Sequence, residues 1–334
     1  MKIINILVTA ALMTGGLRLH AQTVGVEYTS ELQTNFRESN FVNLLRLNGE
    51  MTIGQSFSLE AATISIAKTR DERLLDDLQT FSNIEEDNLP LAIAVCGANW
   101  QISDKHSIFM GIRNMNEDYF TSPVTSFFTN SSCGIYPTIS ANYPIANYPL
   151  ASVGIHYCYD GAPFKVQASL YNGTGYKRFT VRDNVFRFCP KDDGVFGIAE
   201  VEYLHKGSSY FIGACMHCNS TVFEGVNRQV GFSLWSYIEQ KLANRVSLMA
   251  AYSHAFSCVE CSDFVGIGCK YAMQSCELGV FSDMARFEEA TEFATEITGK
   301  YNFSPHIYVQ PSAHAIFTGY TFHTVVNLRL GIRL

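Results

Sequence analysis

The last thirteen residues constrain the fold more than any other part of the chain. Even positions read Phe322, Thr324, Val326, Leu328, Leu330, Ile332 and Leu334, six of the seven apolar. Odd positions read His323, Val325, Asn327, Arg329, Gly331 and Arg333, one of the six apolar. Successive side chains of a β-strand point to opposite faces, so this period of two makes one greasy face and one face carrying two arginines. An amphipathic helix repeats near 3.6 and cannot produce it.

The same alternation recurs upstream. Val265, Ile267, Cys269 and Tyr271 oppose Phe264, Gly266, Gly268 and Lys270, and Glu200 and Glu202 share a face opposite Ala199, Val201 and Tyr203. Between 292 and 301, Glu292, Ala294, Glu296, Thr298 and Lys300 oppose Phe293, Thr295, Ile297, Gly299 and Tyr301. Ile108, Met110 and Ile112 form one face, with Arg113 on the other. A soluble β-sandwich also alternates, but its outer face needs many charges. Here only 16% of residues are charged, while 13% are aromatic and 47% hydrophobic. That balance suits a wall with lipid on one side and water on the other, an antiparallel transmembrane β-barrel.

Met1-Lys2 followed by the mostly apolar run from Ile3 to Leu17 reads as a secretory signal peptide, with cleavage expected after Ala21. Residues 22–334 then form the barrel domain. Removing 1–21 takes the net charge from −7 to −9, so neither nucleic acid nor an anionic surface is implied as a partner of the whole chain. No later stretch reaches the roughly 20 apolar residues of a membrane helix. With about 10 residues per strand plus connections, the length allows about 16 strands.

One segment does not alternate. Asn114 to Pro149 holds four prolines and seven Tyr or Phe residues, too long for a hairpin turn. It either folds into the barrel and narrows the lumen or packs over the rim.

The cysteines invite a metal reading. Cys215-Met-His-Cys218 and Cys258-Val-Glu-Cys261 are C-x2-C pairs, but 39 residues separate them, against about 15–20 in the usual zinc arrangement. Cys215 and Cys218, three apart on a strand, point to opposite faces. Cys258 and Cys261 suit a local disulfide instead. His306 and His314 share a face of a strand that Pro311 is expected to interrupt. No nucleotide, hydrolase or metal motif appears, so no cofactor and no catalytic residue is expected.

Several runs carry a resemblance: Asp77-Leu-Gln-Thr-Phe-Ser-Asn-Ile-Glu85, Asn116-Glu-Asp-Tyr-Phe120, Phe128-Thr-Asn-Ser-Ser-Cys-Gly134, Gly197-Ile-Ala-Glu-Val-Glu-Tyr203, Glu239-Gln240, and Glu296 through Val309-Gln-Pro311. In this order, from about residue 77 to the C-terminus, they resemble the OprB-type carbohydrate-selective porins. The many cysteines, the compact length and the terminal Leu334 depart from that family. The resemblance implies a 16-stranded outer-membrane barrel that passes small sugars by diffusion through a charged, aromatic-flanked constriction. Arg113 sits where the family's strand enters the acidic-aromatic motif, here Glu117-Asp118-Tyr119-Phe120. Arg113, Glu117, Asp118, Glu200, Glu202, Lys270 and Arg329 are therefore expected to line the pore. Outer-membrane lipid is the expected surrounding, and a homotrimer is compatible although no feature selects it. The rival readings are a general or cation-preferring porin, an outer-membrane barrel hydrolase, and a secreted glycan-binding β-sandwich.

Overall fold

The computed structural model describes residues 19–218, 230–256 and 260–334, with the backbone alone for 19–22. Most of the expected signal peptide, and Cys258 of the expected disulfide, lie outside the described residues. Sixteen strands follow in chain order. The first eight are β1 (Leu19–Thr34), β2 (Ser39–Ile53), β3 (Phe57–Lys68), β4 (Leu89–Ser103), β5 (His106–Arg113), β6 (Ser152–Gly161), β7 (Phe164–Asn172) and β8 (Val195–His205). The second eight are β9 (Ser208–Cys218), β10 (Val230–Ala243), β11 (Val246–Ala255), β12 (Cys261–Ala272), β13 (Cys276–Phe287), β14 (Thr291–Ser304), β15 (Ile307–Thr318) and β16 (Thr321–Arg333).

Each strand pairs with its sequence neighbours, and β1 pairs antiparallel with β16, so the sheet closes into a barrel. Closure leaves no row of unpaired backbone groups, the condition for a sheet to sit in hydrocarbon. The seam is in register from Glu27↔Arg333 to Thr34↔Val326, with Glu31 directly opposite Arg329.

The alternation read from the sequence becomes two surfaces. Phe293, Ile297 and Tyr301 of β14 face outward and exposed, while Glu292 and Glu296 on its other face are fully buried inside. On β16, Leu328 and Leu330 face outward, and Val325, Asn327 and Arg329 point in. An outward apolar band around a closed barrel with polar groups inside is the surface of a membrane-spanning barrel. Glycines make room for large rings on the inner wall: the Trp235 ring of β10 lies over Gly213, its cross-strand partner on β9.

Pro311 does not interrupt its strand. β15 runs through it, paired with Leu328 of β16. A proline supplies no N–H to a ladder, and the cost falls on the other side: the β14–β15 register passes from Thr298↔Ser312 to Tyr301↔Val309 without pairs between. The Pro311 carbonyl there accepts from the Thr298 hydroxyl at 3.1 Å.

Ile297 lies midway along β14 and is 60% exposed on the outward face. Ile297→Lys should destabilise the barrel by about 2–4 kcal/mol, the cost of a lysine near the bilayer midplane. Ile297→Leu should be near neutral. Urea unfolding in phospholipid vesicles measures both.

Candidate functional site in the barrel lumen

The β5–β6 connection, the segment that does not alternate, lies inside the barrel. The Tyr119 hydroxyl meets Ser169 of β7 at 2.8 Å and donates to the Ile198 carbonyl of β8. Further along, the Tyr143 hydroxyl meets Ser233 of β10 at 3.1 Å. Thr129 reaches Ser312 and His314 of β15. A segment touching the wall from β7 round to β15 can do so only from the interior.

Its irregular backbone needs acceptors, and wall carboxylates supply them. Glu239 of β10 accepts from the Val124 and Thr125 N–H groups at 2.9 and 3.2 Å and from Ser122 at 2.5 Å. Glu296 of β14 accepts from the Thr129 and Asn130 N–H groups at 3.0 and 2.9 Å. Asp283 of β13 accepts from Asn130 and Ser132 at 3.1 and 2.6 Å. Charged acceptors make bonds about twice as strong as neutral ones. Apolar packing completes the attachment: Phe120 and Tyr136 of the loop stack among Trp235, Tyr237 and Phe264 of the wall.

The β3–β4 connection, residues 69–88, folds inward as well. Glu292 accepts from the Leu78 and Gln79 N–H groups at 2.8 and 2.9 Å. Phe81 buries against Ile316 and Val325 in one cluster. Ser82 donates to Glu31 at 2.6 Å, and Arg329 donates to both Glu31 and Asn83 at 2.5 Å. The two inward segments touch where the Asn83 N–H donates to the Thr129 carbonyl at 2.8 Å. Burial pushes the Asp77 carboxyl up to about 7, opposed by Arg73 and reinforced by Glu292.

Among the described residues, two of the cavities left in the lumen lie beside the expected site residues. One, of about 330 Å³, is lined by Arg46, Glu50, Glu60, Arg113 and Glu117 among others. Arg46 of β2 grips Glu117 through two bonds of 2.6 and 2.8 Å. Arg113 grips Asp118 through two bonds of 2.7 Å, reaches Glu60 at 3.1 Å, and lies 4.5 Å from the centre of the Phe109 ring. The second cavity, of about 370 Å³, lies between the β5–β6 loop and the opposite wall. Phe120, Tyr148, Lys300, Tyr308, Arg329 and Arg333 contribute to its lining. Leu44 and Arg46 lie on one face of β2, and Asn116 and Glu117 are consecutive, so the linings of the two cavities are neighbours at these residues.

The structure thus brings Arg113, Glu117 and Asp118 into one cluster and places Arg329 in the second cavity. Glu202 faces inward and accepts from Ser209 at 2.7 Å. Glu200 and Lys270 sit beneath the loop and line neither cavity. The Glu200 carboxylate is buried and accepts from the Trp235 ring N–H at 2.9 Å. Lys270 pairs with Glu277 at 2.6 Å and donates to the Pro123 carbonyl at 3.3 Å. Sequence reasoning missed Arg46, Glu60, Lys300 and Arg333. The last two were legible as polar positions on alternating strands. Arg46 was hidden because inward-facing Leu44 packs against a buried cluster and blurs the period of its strand. Among the described residues no cluster of His, Cys, Asp and Glu is arranged to hold a metal ion.

No protein-family model matches the chain, and no curated protein matches it by sequence. Solved structures do resemble it. Pseudomonas putida OprB, in its high-pH structure, superposes with a TM-score of 0.77 at 12% identity, covering 94% of each chain. A loop-deleted OmpT, an outer membrane protein of Vibrio cholerae, gives 0.63 at 12% identity, covering 94% of this chain and 99% of that one. A mutant Rh. blastica porin gives 0.61 at 11% identity, covering 94% and 100%. The chain has the fold of the bacterial outer-membrane porins.

Two outcomes follow from how the inward segments are held. Glu296→Ala leaves two buried N–H groups without their acceptor, at about 1–3 kcal/mol each. Limited proteolysis of the folded protein should then cut within 114–151 while the barrel stays intact, with Glu296→Gln intermediate. Asp77 binds its proton more tightly folded than unfolded, so its contribution to stability is complete below 3.8 and is lost as pH rises through about 7. Over that window Asp77→Asn should be less pH-sensitive than the parent in denaturant titrations, by at most about 1.4 kcal/mol per pH unit.

Proposed function

We propose that the chain is an outer-membrane porin of the carbohydrate-selective, OprB-like type, exported with cleavage after Ala21, through which small neutral sugars diffuse passively. The observation that carries this reading is the pairing of charges in the lumen. Arg46 with Glu117, and Arg113 with Asp118 and Glu60, offer many donors and acceptors at little net charge. Sugar hydroxyls find partners there, while no single ion is drawn into a deep well. Tyr148 and Tyr308 offer rings to the C–H faces of a sugar in the adjoining cavity. A pore must also release what it binds, and exchangeable hydrogen bonds spread over several groups meet that need.

In this reading Arg113, Glu117 and Arg329, joined by Arg46, contact the solute, buried Asp118 lines neither cavity and positions Arg113, and Glu202 faces the water. Glu200 and Lys270 act through the loop they hold. A second reading, a cation-preferring porin, is favoured by Glu50, Glu60 and Glu117 outnumbering the two arginines of the first cavity.

Liposome swelling with the purified protein separates the two. Neutral mono- and disaccharides should enter faster than amino acids of similar size, and Arg46→Ala with Arg113→Ala should reduce that preference several-fold. Equal rates for all small solutes in the parent would leave a general porin. Faster entry of cationic solutes would favour the second reading.

A further inference from the structure

The connection between β7 and β8, residues 173–194, begins beside the inward loop, where the Gly175 N–H donates to the Pro144 carbonyl at 2.8 Å, and then packs against the outside of the barrel. The cross-strand partners Cys96, Ile112 and Val153 lie on the outward face. Cys96 is exposed, but Ile112 is buried in a cluster with Ala151, Tyr176 and Val185, against which Val153 packs. Tyr176 and Ala151 exchange backbone hydrogen bonds of 2.9 and 3.0 Å. One step further along the same strands, Met110 and Ile155 face each other across β5 and β6, both outward and exposed. The connection therefore rests on the edge of the apolar band.

Its free side is apolar and basic. Phe179, Val181, Phe186 and Phe188 are 49, 94, 56 and 65% exposed. The fold holds them there: Asp183 accepts from the Lys177 and Arg178 N–H groups at 3.0 and 3.2 Å, and Asp193 accepts from the Tyr176 hydroxyl at 2.9 Å. Residues 173–194 carry five of the chain's 24 basic residues and three acidic ones, Asp183, Asp192 and Asp193, a net of +2 in a chain of net −7. Arg187 and Arg178 are tied to neighbouring aspartates and Lys177 to Glu86 at 3.5 Å, while exposed Arg182 makes no ion pair among the described residues.

We propose that this connection is a membrane-interface foot, whose four apolar side chains enter the acyl region of the adjacent leaflet and whose basic groups meet its anionic headgroups. The inference rests on the barrel spanning a bilayer and adds a specific lipid contact to it. Continuity with the outward apolar band favours lipid as the occupant, because Ile112 and Val153, which the connection covers, lie one register step from Met110 and Ile155, which already face it. Apolar anchors flanked by Arg and Lys are the composition that the headgroup boundary selects.

Val181→Trp, in the full chain reconstituted into brominated phosphatidylcholine vesicles, tests the proposal. Trp100, outward and 45% exposed on β4, is the lipid-accessible tryptophan of the parent, whose other tryptophan, Trp235, is buried inside. Bromolipid quenching of the parent therefore reports insertion, and the difference between variant and parent reports position 181. The expected result is blue-shifted emission from position 181, quenched by the bromolipid by at least the fractional loss seen for Trp100 and insensitive to aqueous iodide. Adding phosphatidylglycerol should increase that quenching, and Arg182→Gln should reduce the increment. Quenching by iodide and not by bromolipid, with Trp100 quenched normally, overturns the foot and leaves the barrel standing. Shielding from both quenchers means a second protein copy covers the loop, which also overturns it. An unquenched Trp100 would remove the bilayer reading and the foot together.

Discussion

Everything in this molecule depends on β1 meeting β16. Inside a bilayer an unpaired backbone group costs several kcal/mol, so a sheet survives there only without edges. Closure fixes a ring of sixteen strands and assigns every second side chain to an interior that must then be furnished. At the seam, Glu31 and Arg329 face each other across the closing pair and stay bonded inside. The pair does two jobs, because Ser82 and Asn83 of the inward β3–β4 segment bond to the same two residues.

The interior solves a problem that closure creates. A wide ring of strands encloses more space than its wall side chains fill, and here two loops occupy much of it. Loops carry unpaired N–H groups, so the wall meets them with Glu239, Glu292 and Glu296, acceptors spread from β10 to β14. Buried carboxylates that would be costly alone become the hooks that fix the constriction. Arg46 and Arg113 are paired with carboxylates in the first cavity, where Glu50 adds a further negative charge, and Lys300, Arg329 and Arg333 line the second, so the lumen is polar with charges of both signs. Fold, loop placement and proposed selectivity thus descend from one requirement, that polar groups removed from water find partners.

Much of the fold was legible in the sequence. β14 and β16 alternate so strictly that both faces could be assigned residue by residue, because lipid rejects polar groups on one side and water rejects a fully apolar lining on the other. Strand β2 was harder. Leu44 points inward to pack on the protein rather than on water, so the pattern weakened just where Arg46 needed it. Pro311 looked like a strand break, since sequence does not show that β16 would keep pairing while β14 gave way. The β5–β6 segment stood out by its prolines and aromatics, but whether it lay inside or on the rim depended on partners such as Glu239 and Glu296, distant in sequence. That Glu200 and Lys270 would lie beneath this loop, and not beside the passage, depended on the same contacts.

The central claim is that a water-filled passage persists through a closed barrel despite two loops folded into it. Single-channel recording of the purified protein in a planar bilayer tests this most directly. The account predicts discrete, long-lived conductance steps of uniform size, with weak preference between cations and anions set by the paired charges of the lumen. Correctly inserted protein that leaves the bilayer electrically silent would contradict it, because the two cavities would then be closed chambers and not a pore.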